Sequence, residues 1–339
     1  MRKKNPKYKQ WLKRRIKSKE KRRIKQRTRS IHSAKKQIRS NNSKKKEKIF
    51  KVEAPRNFSI KDNSEEVVDF FVEVLEFTTK RKERISLFFD LSKVERVTAD
   101  AIIYLLAVIK DLQHIGYTKH NFYGNLPVNQ AAHEFFESSG FLNYVQSQHQ
   151  QVEQGNNQFQ IVYNNKYDQE TIKRVCEFVW KEANYDRVST RFLYVLLTEM
   201  MLNTQQHAYE EQSDKRDSWY LYVRKDNDRM KFTFLDTGLG IPSTAKKKWS
   251  EKIFRRLDTE IIVSALDGGF RTQTGRDYRG KGLPKIKECV MQHSLEKLYI
   301  ISNKACCQLQ YLNSYSISSI ELSKSLMGTI YYWEIKMKE

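Results

Sequence analysis

Glu199, Asn203 and His207 recur every four residues in the segment RFLYVLLTEMMLNTQQHAYEE. On a helix that spacing lines them along one face. Phe192, Leu196, Leu197 and Met200 cover the other faces with apolar groups. A carboxylate and an amide on such a helix are costly to bury unless something pairs with them. Hydrated Mg²⁺ and a triphosphate would do so, since magnesium keeps several waters and takes only one or two protein carboxylate or other oxygen ligands. A polar stripe facing solvent is the plainer reading of this helix alone.

Three further segments add to that chemistry. In MKFTFLDTGLGIP an alternating strand runs into Asp236, followed by Gly238 and Gly240. A carboxylate at a strand end can accept the amino hydrogen of a purine, and the glycines let backbone approach the base. In GRDYRGKGLPKIKE, Gly280 and Gly282 open a helix whose free N–H groups can face phosphate oxygens. Arg276, Arg279 and Lys281 add positive charge there. Gly275 to Lys281 also satisfies the start of a P-loop, G-x-x-x-x-G-K. The next residue is Gly282 rather than Ser or Thr, and no buried strand leads into Gly275, so the P-loop reading is rejected. In LMGTIYYWEI, Gly328 and Thr329 begin the last strand, where the threonine hydroxyl can reach the base or the neighbouring Asp236.

Hydrophobic periodicity predicts the elements that position these groups. In the second half it predicts helices at 169–183 and 188–209 and strands at 218–225 and 230–236. An irregular stretch comes next over 237–281, with a helix near 250–266, then a helix at 282–293. Strands at 296–303, 306–312, 316–322 and 328–336 end the chain. This order predicts an α+β sandwich, a mostly antiparallel sheet with helices on one face. Before it, helices at 65–79, 98–115 and 125–138 and strands at 84–91 and 119–124 predict a small α/β layer domain over 51–150. A Gln- and Asn-rich linker is expected over 151–168.

Residues 1–50 hold 23 of the 63 lysines and arginines but only two acids, Glu20 and Glu47, so nearly all of the net charge of +23 sits there. Such an arm is expected to be disordered when free. It is either a solubilising tail or a contact for nucleic acid or another polyanion, gaining affinity by counterion release. Cys176, Cys289, Cys306 and Cys307 form no C-x-x-C pair, which argues against zinc and against a disulfide framework. No run nears the ~18 apolar residues of a membrane span. A cytoplasmic protein is the expectation.

Taken in this order, the four segments resemble the GHKL ATPase family of gyrase-type, heat-shock chaperone, histidine kinase and mismatch-repair ATPases. The resemblance covers residues 168–336 and implies a Bergerat-type α/β sandwich binding ATP and Mg²⁺. The helix with Asn203 looks like the N box, DTGLGIP the G1 box, RGKGL the G2 box and MGT the G3 strand. By that resemblance Asn203 would ligate Mg²⁺, Asp236 would hold the adenine amino group, and Glu199 would be the general base. Gly238, Gly240, Gly280 and Gly282 would shape the loops, Arg279 and Lys281 would face phosphate, and Thr329 would face the base. Residues 243–279 would form a lid with Gly268-Gly269 as its hinge. The form Asn-x-x-x-His-Ala-Tyr at 203–209 is nearest the anti-sigma-factor kinase branch, with His207 holding Asn203 in place.

RISLFFDLSKVERVTADAIIYLLAVIKDL is similar to a STAS-type domain, the fold of anti-sigma-factor antagonists. Asp100 stands about where that family's regulatory serine would be, which reads as a structural group at a helix start. The resemblances imply three functions. One is a nucleotide-dependent switch with slow ATPase activity and a regulatory protein partner at the STAS-like domain. Another is a Ser/Thr kinase acting on a separate STAS-type protein. The third is a nucleic-acid-binding module with a structural ATP site. Analogy with dimerising branches adds the expectation of a homodimer.

Overall fold

The structure, a computed structural model, describes residues 48–80, 85–114, 121–145, 157–209, 218–248, 253, 255–269, 282–292, 295, 297–311 and 314–338. The basic arm, except Lys48–Phe50, and the segment 270–281 lie outside them. Ile49–Lys80 and Ile85–Glu339 form one compact unit of mixed α+β structure. No helix of the described residues is long and apolar enough to cross a membrane.

The first region carries β1 (Lys48–Glu53), β2 (Asn57–Phe58), α1 (Ser64–Lys80), β3 (Ile85–Asp90), β4 (Arg96–Val97), α2 (Ala99–His114), β5 (Asn121–Gly124), α3 (Gln130–Ser138) and α4 (Leu142–Val145). Strands β1, β3 and β5 make a three-stranded sheet, with β3 and β5 parallel. Glu65 and Glu66 in the first turn of α1 complement the helix dipole. In α2 nearly every residue from Ala101 to Ile109 is buried, so this helix must be covered on several sides.

The second region carries β6 (Gln158–Asn164), α5 (Gln169–Ala183), α6 (Arg191–Tyr209), β7 (Trp219–Asp226), β8 (Arg229–Asp236), α7 (Ile241–Lys248), α8 (Asp258–Leu266), α9 (Gly282–Met291), β9 (Lys297–Tyr311) and β10 (Tyr315–Lys336). Its five strands form one sheet in the order β6-β7-β8-β10-β9, and every pairing is antiparallel. Local chemistry sets the ends. Asp168 caps α5 by accepting from the Thr171 N–H at 3.1 Å. Asn227, left-handed at φ 54°, turns β7 into β8.

Several expected boundaries differ. The helix expected over 125–138 starts only at Gln130, after its cap Asn129. Residues 158–164, expected in the linker, form edge strand β6. The four expected terminal strands are two long ones, β9 and β10, because the interruptions are bulges within one ladder, on either side of Leu326. Of the helix expected near 250–266 the described part is α8, from Asp258, and another helix, α7, stands before it at Ile241–Lys248 in the stretch expected to be irregular.

Side chains alternate across the sheet. Trp219, Leu221, Phe232, Phe234, Tyr331 and Trp333 pack on one face with α5, α6, α8 and α9. Helices of the second region were expected on one face, and they lie there. The opposite face is covered as well. Tyr220, Tyr222, Leu235, Ile301, Leu326 and Ile330 share a continuous core with α1, α2 and the first sheet. The corner between α3 and α4 joins in: Ile161 N–H donates to the Ser139 carbonyl at 2.9 Å, at the bulge where β6 leaves its register with β7. Leu235, Ile301, Leu326 and Ile330 are all fully buried. Uncovering each would cost about 1.5–3 kcal/mol, so losing four approaches the whole net stability of a domain, about 5–15 kcal/mol. The first region is therefore a structural third layer.

Asp90, at the end of β3, is buried and accepts from Lys51 Nζ at 2.5 Å, Asn125 Nδ2 at 2.7 Å and Ser92 N at 3.1 Å. The Lys51 ammonium, then Ser92 and Asn125, hold its carboxyl well below the usual range. A depressed folded pKa stabilises above the unfolded value of about 3.9 and loses that stabilisation as pH falls through the folded one. Asp90→Asn is thus expected to be less stable than wild type in urea at pH 7, with the gap closing below about pH 4. A gap that is constant with pH would contradict this assignment.

Candidate functional site

Among the described residues, the predicted groups Asp236, Thr329, Glu199, Asn203 and Gly282 belong to one side of the five-stranded sheet. Asp236 has the same parity on β8 as Phe232 and Phe234, and Thr329 the same parity on β10 as Tyr331 and Trp333, so both face the layer of α6 and α9. Asp236 pairs with Thr329 on one side and Trp219 on the other. Burial, and then the nearby Asp236 carboxylate, push the Tyr331 phenol above its ordinary range.

Asp236 is 9% exposed and its Oδ1 accepts from the Gly238 N–H at 2.8 Å. A Cβ on Gly238 would stand 3.1 Å from that oxygen. The loop after β8 then turns through Gly240, left-handed at φ 87°, where a Cβ would meet the Asn303 amide at 2.7–2.9 Å. Gly328, also at φ 87°, admits no Cβ, because one would lie 2.1 Å from the Asp236 carbonyl oxygen. The final strand therefore reaches Asp236 only through a glycine.

On the helix layer, Glu199 and Asn203 converge on Gly282, the first residue of α9. A Cβ there would stand 3.1 Å from Asn203 Nδ2, 3.5 Å from its Oδ1 and 3.3 Å from Glu199 Oε2. This is a cradle lined by an amide, a carboxylate and the opening turn of a helix, a turn in which Gly282 and Leu283 carry N–H groups and Pro284 does not. Lys285, one turn on, donates to Glu199 Oε1 at 2.6 Å. Arg279, Gly280 and Lys281 lie outside the described residues, as does the His207 side chain.

Sequence reasoning missed three contributors. Ser302 and Asn303, on β9, knit the loop to the final strand. Ser302 Oγ accepts from Ile241 N at 2.9 Å, donates to the Gly328 carbonyl at 3.0 Å and lies 2.9 Å from Thr329 Oγ1. Asn303 accepts from Ser243 N and donates to the carbonyls of Leu239 and Leu326. Asn303 sits at φ 52°, a conformation Asn tolerates, but a lone Ser-Asn in a strand carries no legible signal. Lys285 is the third.

In the stretch expected as a lid, α7 starts on the loop after β8 and α8 is tied to the sheet. The Glu321 carboxylate accepts from the Asp258 and Thr259 N–H groups at 3.2 and 3.1 Å. Gly268 and Gly269, expected as a hinge, close the C-terminus of α8. A cavity of about 430 Å³ lies beside α8, lined by Thr259, Glu260, Ser264, Asp267 and Gly269, and not by Glu199, Asn203, Asp236, Gly282 or Thr329.

Asp100 is fully buried. Its carboxylate accepts from the N–H groups of Ile60, Lys61 and Ala101 at 3.3, 2.8 and 2.7 Å, and from Thr98 Oγ1. Burial pushes its carboxyl upward against those bonds. It ties a loop to the start of α2, a structural part. His133 bridges the Pro127 carbonyl and Glu137. The four cysteines are buried free thiols, with burial pushing the thiols of Cys176 and Cys289 up to about 11 and that of Cys307 up to about 12.

No family model matches the chain, and no curated protein matches it.

Gly328→Ala is expected to destabilise the fold by on the order of 3 kcal/mol, since both φ and a backbone clash oppose it. Urea unfolding measures this, and a loss under about 1 kcal/mol would contradict the contact.

Proposed function

We propose that the second region binds ATP with Mg²⁺ as a GHKL-type nucleotide switch, with the first region as a STAS-like regulatory layer. One observation carries the reading. Four segments far apart in sequence put a strand-end carboxylate, two glycine turns, a half-buried amide and carboxylate, and a helix N-terminus on one side of one sheet. The adenine amino group donates to Asp236. The triphosphate would lie toward Gly282 at the start of α9. Asn203 would offer its amide oxygen to Mg²⁺, which would neutralise phosphate charge. The glycine at 282 fits such a group, because any larger residue would fill the space against Asn203 and Glu199.

Glu199 is the candidate base. One carboxylate oxygen is held by Lys285, and the other faces the Gly282 cradle. It would orient a water for slow hydrolysis. The same site serves a Ser/Thr kinase if a protein hydroxyl takes the water's place. Asp100 then needs no part in phosphotransfer, and the acceptor is a separate protein. The arm's 23 basic residues add a contact for nucleic acid or another polyanion.

Calorimetry with Mg²⁺ tests the core of this. Wild type is expected to bind ATP, and Asp236→Asn to weaken it at least about tenfold, as loss of a charged hydrogen-bond partner does. Glu199→Ala should keep binding and lose turnover of labelled ATP. Equal ATP binding by wild type and Asp236→Asn would reject the base contact. For the arm, deletion of residues 1–48 is expected to abolish salt-sensitive polyanion binding, measured by titration at rising salt. Binding that survives the deletion would remove the arm as the contact.

A further inference from the structure

We propose that Tyr104, in the first layer, is a positioning residue for the nucleotide site, fixing the Met327–Thr329 corner against Asp236. The nucleotide part of this rests on the proposed function above.

The Tyr104 hydroxyl accepts from the Met327 N–H at 3.1 Å and donates to the Met327 carbonyl at 3.2 Å. It thus satisfies both backbone groups of one residue, from 223 positions away in sequence. The place is where β10 most needs it. The ladder with β9 breaks register between Glu321 and Leu326 and again between Leu326 and Thr329. Backbone groups released by bulges require partners elsewhere. Tyr104 supplies them at Met327, and Asn303 supplies one at Leu326.

Immediately after Met327 the chain reaches the tightest point of the site. Gly328 is left-handed with its Cα against the Asp236 carbonyl, and Thr329 is the ladder partner of Asp236. A shift at Met327 therefore passes directly to the carboxylate assigned to the purine. Beside the apolar packing of Leu326 and Ile330, two polar pairs join the first layer to this strand, Glu65 on Ser323 and Asp69 with Lys324. Both are exposed pairs, where solvent takes most of the gain. Tyr104 is 4% exposed and its ring packs 4.7 Å from that of Phe71. Burial pushes the phenol above its ordinary range, so it keeps its proton and remains a donor.

The test uses the full chain and Tyr104→Phe, which removes only the oxygen. Two measurements are made. The first is amide hydrogen exchange without nucleotide. Met327, Gly328 and Thr329 are expected to exchange at least about tenfold faster, with α5 amides unchanged. The second is calorimetry with Mg²⁺ and either ATP or GTP. A displaced Asp236 should lose about tenfold of the preference for ATP over GTP.

Unchanged exchange at the corner overturns the proposal. So does faster exchange with the ATP preference intact. Equal weakening of both nucleotides also overturns it, in favour of general loosening. If wild type itself binds neither nucleotide, the ATP reading fails, and the exchange data alone still decide whether Tyr104 fixes the corner.

Discussion

At Gly328 the last strand meets the carbonyl of Asp236 so closely that no side chain fits between them. Much of the molecule is arranged around that approach. It requires a left-handed glycine, a bulged strand before it, and anchors for the backbone groups the bulge releases. Ser302 and Asn303 supply anchors from the neighbouring strand, and Tyr104 from the first layer. Asp236 is consequently held at the end of β8 by both adjacent strands, with its carboxylate on the side of α6 and α9.

The same arrangement explains why the chain is not two independent beads. A five-stranded sheet with helices on one face leaves its other face apolar. Here Tyr220, Leu235, Ile301 and Ile330 face α1 and α2, and one core runs through both. In the proposed function, regulation through the first layer would act on the back of the sheet and on β10, without reaching the nucleotide directly. Glu321, which caps α8, lies on the same strand as Met327. A change in β10 would therefore be felt by α8 and by Asp236 together.

Much of the fold was legible because its helices are strongly periodic. Residues 65–79, 98–115 and 169–183 were expected within a residue or so of α1, α2 and α5. The convergence of Glu199 and Asn203 came from their four-residue spacing, and Gly282 met them. Illegible features share a physical cause, since each depends on a partner distant in sequence. Strand β6 reads as linker because QFQIVYN alternates with glutamines, and only pairing with β7 makes it a strand. The breaks in β10 read as turns because Ser, Lys and Gly at a bulge look like loop residues. Tyr104 reads as one more apolar position on a buried helix, and nothing near it in sequence announces Met327.

The proposed nucleotide occupies the space between two groups held by different layers of the fold, the Asp236 carboxylate on the sheet and the Asn203 amide on α6. A crystal structure of the full chain with Mg²⁺ and a non-hydrolysable ATP analogue addresses this directly. The account predicts the adenine amino group on Asp236, the metal on the Asn203 amide oxygen, and phosphate at the start of α9. An analogue bound elsewhere, in the cavity beside α8 for example, with Asp236 and Asn203 untouched, would contradict it.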